Sequence, residues 1–218
     1  MADIFHEVDE EVRRERLQKL WERYGIHIIA LAVLVVLAVA GWRGYVWWDA
    51  KKAAAAGAAF ESALTLSDEG KHAEAEAAFA KIAADAPAGY RLLARFRVAG
   101  ELAQTKPQDA VKAFDALASD SSVGSSLQDL AAVRAGMLLV DTAPLAEMKR
   151  RLDPVAEPGH AFRHTARELL ALSAWRNHDF TAARHYLDMI AGDSETPPGT
   201  RTRADVLSAL IAADGGKS

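Results

Sequence analysis

Residues 26–42 read IHIIALAVLVVLAVAGW, seventeen positions with one polar side chain, His27. The run is apolar on every face, so no solvated stripe can be drawn along it. Extended to residue 48 it holds 23 residues and adds Arg43. At about 1.5 Å per residue that length crosses a hydrocarbon core of about 30 Å with some tilt. Ten of the first seventeen residues are Ile, Leu or Val, which at about −0.3 to −0.6 kcal/mol each supply roughly −3 to −6 kcal/mol toward insertion. Trp21 and Tyr24 precede the run, and Trp42, Tyr45, Trp47 and Trp48 follow it, where the rings of an interfacial belt belong. Arg43 lies near enough to one end to snorkel. The pattern predicts a transmembrane helix over 26–48. Two other readings use the same residues. One is a buried core helix. The other is a signal peptide cleaved after Ala38-Val39-Ala40. Cleavage conflicts with the 25 residues that precede the run and their seven acids, and it would leave WRGYVWW at the mature N-terminus.

Residues 3–24 carry acids early (Asp9, Glu10, Glu11) and bases later (Arg13, Arg14, Arg16), an order that suits the helix dipole. Ile4, Val8 and Val12 form one stripe; Leu17, Leu20 and Tyr24 form a second, offset one. The expectation is an amphipathic helix over 1–25, ending at Gly25. It serves either as a solvated element that sets topology or as a cytoplasmic docking helix. Lys and Arg near the span number five on the N-side and three on the C-side. That bias places the N-terminus in the cytoplasm and residues 49–218 outside it, which is the periplasm if the cell is Gram-negative.

From residue 49 the periodicity is helical, broken at Gly70, Pro87–Gly89, Pro107, 119–126, Pro144, Pro158–Gly159 and Pro197–Gly199. Residues 70–87, GKHAEAEAAFAKIAADAP, place Gly70 at a turn and Ala75, Phe79 and Ile82 along one helix face, with Pro87 as the stop. A tetratricopeptide repeat asks for this: a small residue where two helices touch, then large residues that fill the gap to the next helix. The pattern returns as Ala110, Phe114 and Leu117, and again as Ala183, Leu187 and Ile190. A degenerate unit between them, APLAEMKRRLDP, offers Ala146 for the same place, so the alanines recur at 35, 36 and 37 residues. Thr200 onward reads as a capping helix, which an open solenoid needs. The predicted fold is all-α: one N-terminal transmembrane helix, then a tetratricopeptide-like α-solenoid of helix pairs. A non-repetitive helical bundle is the alternative.

Composition narrows the function. Alanine numbers 46 of 218 residues, and strand formers are sparse after residue 50, which favours close-packed helices. A net charge of −4 lacks the basic surplus of a nucleic-acid binder. With no cysteine there is no disulfide, Cys-based zinc site, thiol chemistry or iron–sulfur cluster.

The anchor ending in Gly41-Trp42-Arg43 and its aromatics, the Ala-rich helix after it and the repeat at 70–87 resemble the YfgM-like family, ancillary subunits of the SecYEG translocon. Asp129-Leu130-Ala131 and the stretch from Phe162-Arg163 through Ala166-Arg167-Glu168-Leu169-Leu170 carry the likeness further. The N-terminal segment is similar to a variant of one bacterial branch. The resemblance implies an inner-membrane protein whose repeat domain lies in the periplasm. Its implied partners are translocon subunits and a periplasmic chaperone or prolyl isomerase, to which emerging chains are handed.

His160 and His164 are spaced i,i+4 and invite a zinc hypothesis, but the stretch is HAFRH without the catalytic Glu or an evident third ligand. His178 and His185 read as surface residues. No nucleophile elbow or phosphate loop is present, so no enzyme activity, catalytic residue, cofactor, metal or small-molecule substrate is assigned. Arg91, Arg95 and Arg97, and the run Lys149-Arg150-Arg151, are either solvated faces or contacts for a partner's carboxylates. Trp175 is either core or a half-exposed peptide contact. Three functions remain in play: an anchored protein-interaction scaffold binding along 90–102 and 127–140, a self-associating envelope scaffold using 3–24 and 53–63, and a metal hydrolase at His160 and His164.

Overall fold

A computed structural model describes residues 3–215. Among these there are nine α-helices and no strand. α1 runs Asp3–Asp68, α2 His72–Asp85, α3 Ala88–Thr105, α4 Pro107–Ala118, α5 Ser125–Leu139, α6 Leu145–Ala156, α7 Arg163–Arg176, α8 Phe180–Gly192 and α9 Pro198–Gly215. A short 3₁₀ turn, Ser121–Val123, lies between α4 and α5. The chain divides into two compact units, Met1–Ala54 and Ala55–Ser218.

In the first unit the helix expected to stop at Gly25 does not stop. α1 passes through Gly25, Gly41, Gly44 and Gly57 without a break. A helical glycine costs only about 1 kcal/mol relative to Ala, and Gly25 has neither the positive φ of a C-capping glycine nor a following proline. The Trp21 ring instead covers Gly25, 3.2 Å from where a Cβ would stand. The side chains of Ile4, Val8, Val12, Leu17 and Leu20 lie outside the described residues. From Trp21 onward α1 is long and apolar enough to cross a membrane: its most apolar window has a mean hydropathy of 2.4 and is 6 % buried.

The second unit builds its core as a series. Ala63, Ala75, Phe79, Ile82 and Ala94 form one cluster, with Phe60 and Tyr90 against it. Ala99, Phe114, Leu117, Val123, Ala131 and Ala135 form the next. A third, larger cluster spans α5 to α9 and includes Met148, Leu152, Leu170, Leu187, Ile190 and Ile211. Each helix from α2 to α9 packs on the next in sequence, and α7 also touches α5 and α9. First helices (the end of α1, then α3, α5 and α7) thus alternate with second helices (α2, α4, α6 and α8), and α9 follows unpaired.

Two of the pair-internal turns share one mechanism. At the end of α1 the Gly70 N–H donates to Ser67 O at 2.9 Å and the Lys71 N–H to Leu66 O at 2.9 Å. Gly70 is left-handed at φ 75°. This is a Schellman cap. At the end of α7 the His178 N–H donates to Trp175 O and the Asp179 N–H to Ala174 O, both at 2.9 Å. Here the left-handed residue is His178, at φ 60°. In both pairs the second helix presents its buried alanine five residues on, at Ala75 and Ala183.

Candidate functional site

Ala75, Phe79 and Ile82 on α2, Ala110, Phe114 and Leu117 on α4, and Ala183, Leu187 and Ile190 on α8 are all buried. Each triplet has spacing four then three. Phe79 meets Phe60 of α1 edge-on at 5.1 Å. Pro87 sits between α2 and α3 as the N-cap residue of α3. Ala146 departs from the expected pattern. It is exposed, and α6 instead buries Met148, Leu152 and Val155 with the same spacing. The reason is on the facing helix: a Cβ on Gly136 of α5 would stand 2.9 Å from Leu152 Cδ1. The third pair puts its small residue on the first helix and its large ones on the second, so the register of α6 slips by two residues. Pro154 lies inside α6 and does not end it.

With their cores spent in this way, the helices keep few large apolar groups for solvent. In the second unit the exposed large hydrophobics among the described residues are Leu93 of α3, Leu127 and Met137 of α5, and Val206 and Leu210 of α9. None is on a second helix. Helical spacing explains the row. α3 buries Leu92, Phe96 and Ala99 toward α4 and α5, and Ala94 and Val98 toward α1 and α2. That leaves Leu93 and Arg97, four apart, on its outer stripe. α5 buries Ala131 and Ala135 on one side and Val133 on the other, leaving Leu127, Leu130, Arg134 and Met137 outward. On α7 the half-buried residues include Glu168, Leu172 and Trp175, and Glu168 accepts from Arg203 of α9 at 2.8 Å. Arg203, Val206 and Leu210 share that side of α9.

The tetratricopeptide repeat-like domain family matches residues 18–184. The chain belongs to that family. No curated protein and no solved structure matches it. Tetratricopeptide repeat-like domains are typically non-catalytic modules for protein interaction, so the exposed apolar groups of α3, α5 and α9 are the candidate site of this member, and its partners are proteins. The match ends inside α8, so α9 lies beyond it. α9 nonetheless buries Ala204, Leu207 and Ile211 and closes the third cluster.

The arginines sort by partner. Arg95 pairs with Asp120 at 2.7 Å, which helps hold that carboxyl near 2, after the Ser122 hydroxyl that donates to it. Arg151 pairs with Asp115 and Glu147. Arg91, Arg97, Arg134, Lys149 and Arg150 are exposed and have no acidic partner among the described residues. Trp175 is half-buried against the third cluster.

The histidines expected as a pair part company. His160 stands before α7 and donates Nδ1–H to Asp129 of α5 at 2.7 Å. His164 is buried and lies 3.2 Å from Thr196 Oγ1. The Thr196 hydroxyl donates to Ile190 O at 2.7 Å, so it accepts from the His164 Nδ1–H. No group of three or more potential ligands is placed for a metal among the described residues. His178 and His185 are exposed.

Spacing did not reveal Asp193. Its carboxylate accepts from Arg163 Nε at 2.8 Å and from an Arg167 guanidinium N–H at 3.0 Å, which holds it well below the ordinary carboxylate range. Arg167, 3 % exposed, also donates to the carbonyls of Ala156 and Met189. It thereby ties α6, α7 and α8 together. The open cleft beside it, about 680 Å³, presents cations that are already paired. A second cleft of about 720 Å³ between α4, α5 and α6 has Lys112 and Arg151 on its rim, both engaged by carboxylates.

Trp21, Tyr24, Trp42, Arg43, Tyr45, Trp47 and Trp48 are all exposed on α1. Lys52 Nζ lies 3.6 Å over the Trp48 ring and Lys51 Nζ 5.3 Å over that of Trp47. Such cation–π pairs suit a boundary where rings meet apolar surface and ammonium groups meet water.

Proposed function

We propose that this tetratricopeptide repeat-like protein is a membrane-anchored scaffold serving the inner-membrane protein translocon, where it passes emerging chains to periplasmic chaperones. The observation that carries the scaffold reading is that the exposed large apolar side chains described in the second unit lie on α3, α5 and α9 and on no second helix. Removing such side chains from water is the main driving force of association, and large apolar side chains left exposed together on a helix mark a surface for a protein partner. In this reading residues 1–25 are cytoplasmic, 26–48 span the membrane and 49–218 form the periplasmic domain. Gly70, Ala75, Phe79, Ile82, Pro87 and their counterparts on α4 and α8 keep the first helices in line. The aromatic residues at both ends of the span, with Arg43, hold its depth. Anchoring turns a three-dimensional search into local encounter and so raises the effective concentration of a membrane partner. The translocon assignment rests on the resemblance to the YfgM-like family.

The test is affinity capture of the full-length protein from gently solubilised membranes, beside a version lacking residues 1–48. Translocon subunits and periplasmic chaperones recovered only with the anchor present support the assignment. Recovery of the protein alone, as a defined oligomer, replaces it with a self-associating envelope scaffold.

A further inference from the structure

The two helices that contribute Leu93, Leu127 and Met137 have an unusual charge inventory. α3 contains one carboxylate, Glu101. It is 4 % exposed, accepts from Ser67 Oγ at 2.6 Å and from His72 Nδ1 at 2.8 Å, and so faces α1 and α2. α5 also contains one, Asp129, bound to His160. Neither helix leaves a free carboxylate on its outer stripe. Each does leave a cation there: Arg97, four residues after Leu93, and Arg134, three before Met137. Both are exposed and lack an acidic partner among the described residues. Elsewhere on the row the charge is cancelled, because Arg203 is paired with Glu168. The chain as a whole is acidic at −4. Two free cations set among apolar groups, on a stripe cleared of carboxylates, therefore run against the composition.

We propose that the α3–α5 part of the docking face selects extended protein segments that present Asp or Glu and large apolar side chains on one face, two residues apart. This rests on the scaffold reading above and adds the chemical class of its ligand. The apolar side chains cover Leu93, Leu127 and Met137. The carboxylates meet the guanidiniums of Arg97 and Arg134, whose planar forks donate to both oxygens. Contact with the apolar groups excludes water and strengthens those pairs. A nucleic acid fits less well, since two cations neutralise few phosphates and the apolar row finds no match on a phosphate backbone.

The experiment measures binding of short fluorescein-labelled peptides to the full-length protein in detergent by fluorescence anisotropy. One peptide sets Asp or Glu and Leu or Phe two residues apart, with Ser between them, so that both types share a face of the extended chain. A second replaces each acid by Asn or Gln, and a third by Lys. The expected result is that the acidic peptide binds at least about tenfold tighter than the amide peptide, with an affinity that falls as salt rises. The double variant Arg97→Glu/Arg134→Glu should abolish that preference and favour the Lys peptide. These side chains have no partner to lose, so folding is not at stake; circular dichroism checks it. Equal binding of the acidic and amide peptides, lost in Met137→Glu, overturns the charge selection and leaves the docking face standing. Binding of no peptide, together with failure to capture any partner from membranes, removes both. Binding that survives Met137→Glu and Leu93→Glu together places the acidic peptide elsewhere and also overturns the proposal.

Discussion

His178 holds a left-handed conformation at the turn between α7 and α8, in the place that Gly70 takes between α1 and α2. A Cβ in that region costs roughly 1–2 kcal/mol, part of which glycine returns through its freer unfolded chain. His178→Gly should therefore stabilise the protein by about 0.5–1 kcal/mol, measured as a higher urea midpoint at unchanged slope. His164 makes a prediction in pH. Burial, and then the charge of Arg163, lower its pKa below the ordinary histidine value. The unfolded chain takes up a proton near pH 6.5 that the folded chain resists. The His164 contribution is thus full above about pH 6.5 and is lost as the pH falls toward the lower folded value. Urea midpoints should drop less between about pH 7.5 and about pH 5.5 in His164→Gln than in the unchanged protein.

At the scale of elements, α6 shows how a register is decided. A count of alanines from the neighbouring repeats leads to Ala146, and the structure exposes that residue. What sets the helix is the space over Gly136, which Leu152 fills. Ala146→Glu should change stability by no more than about 0.5 kcal/mol. Met148→Ala should cost about 2–5 kcal/mol by leaving a cavity. Thermal melts of the two variants check the assignment, and the reverse order would return Ala146 to the core. α1 teaches a similar lesson. Gly25 resembles a stop in one dimension, but no left-handed residue or capping bond accompanies it, so the helix continues.

At the scale of the whole molecule, the second unit has no single centre. Its three clusters follow one another along the chain, and each helix leans on its sequence neighbours. Stability in such an array is close to a sum of local terms. Phe79→Ala, which opens a cavity worth about 3–5 kcal/mol in the first cluster, should lower amide-exchange protection in α2 and α3 and leave that of α7 and α8 nearly unchanged. Uniform loss of protection across the unit would show one cooperative core instead.

The helix boundaries from residue 68 onward, apart from the one at His178 between α7 and α8, the apolar span and the four-then-three triplets of α2, α4 and α8 follow from local chemistry. Proline and glycine interrupt a helix wherever they meet a cap or a turn, hydrocarbon length is set by rise per residue, and a repeated face shows as a repeated spacing. Other features depend on contacts between helices distant in sequence. The slip of α6 answers a glycine on α5. The burial of Glu101 needs α1 and α2 beside it, and Asp193 gains its arginines only where α7 meets the end of α8. The docking row is the residue of such packing. Leu93 and Met137 are as apolar as their buried neighbours, and they face solvent because two flanking helices have already taken the other sides of α3 and α5.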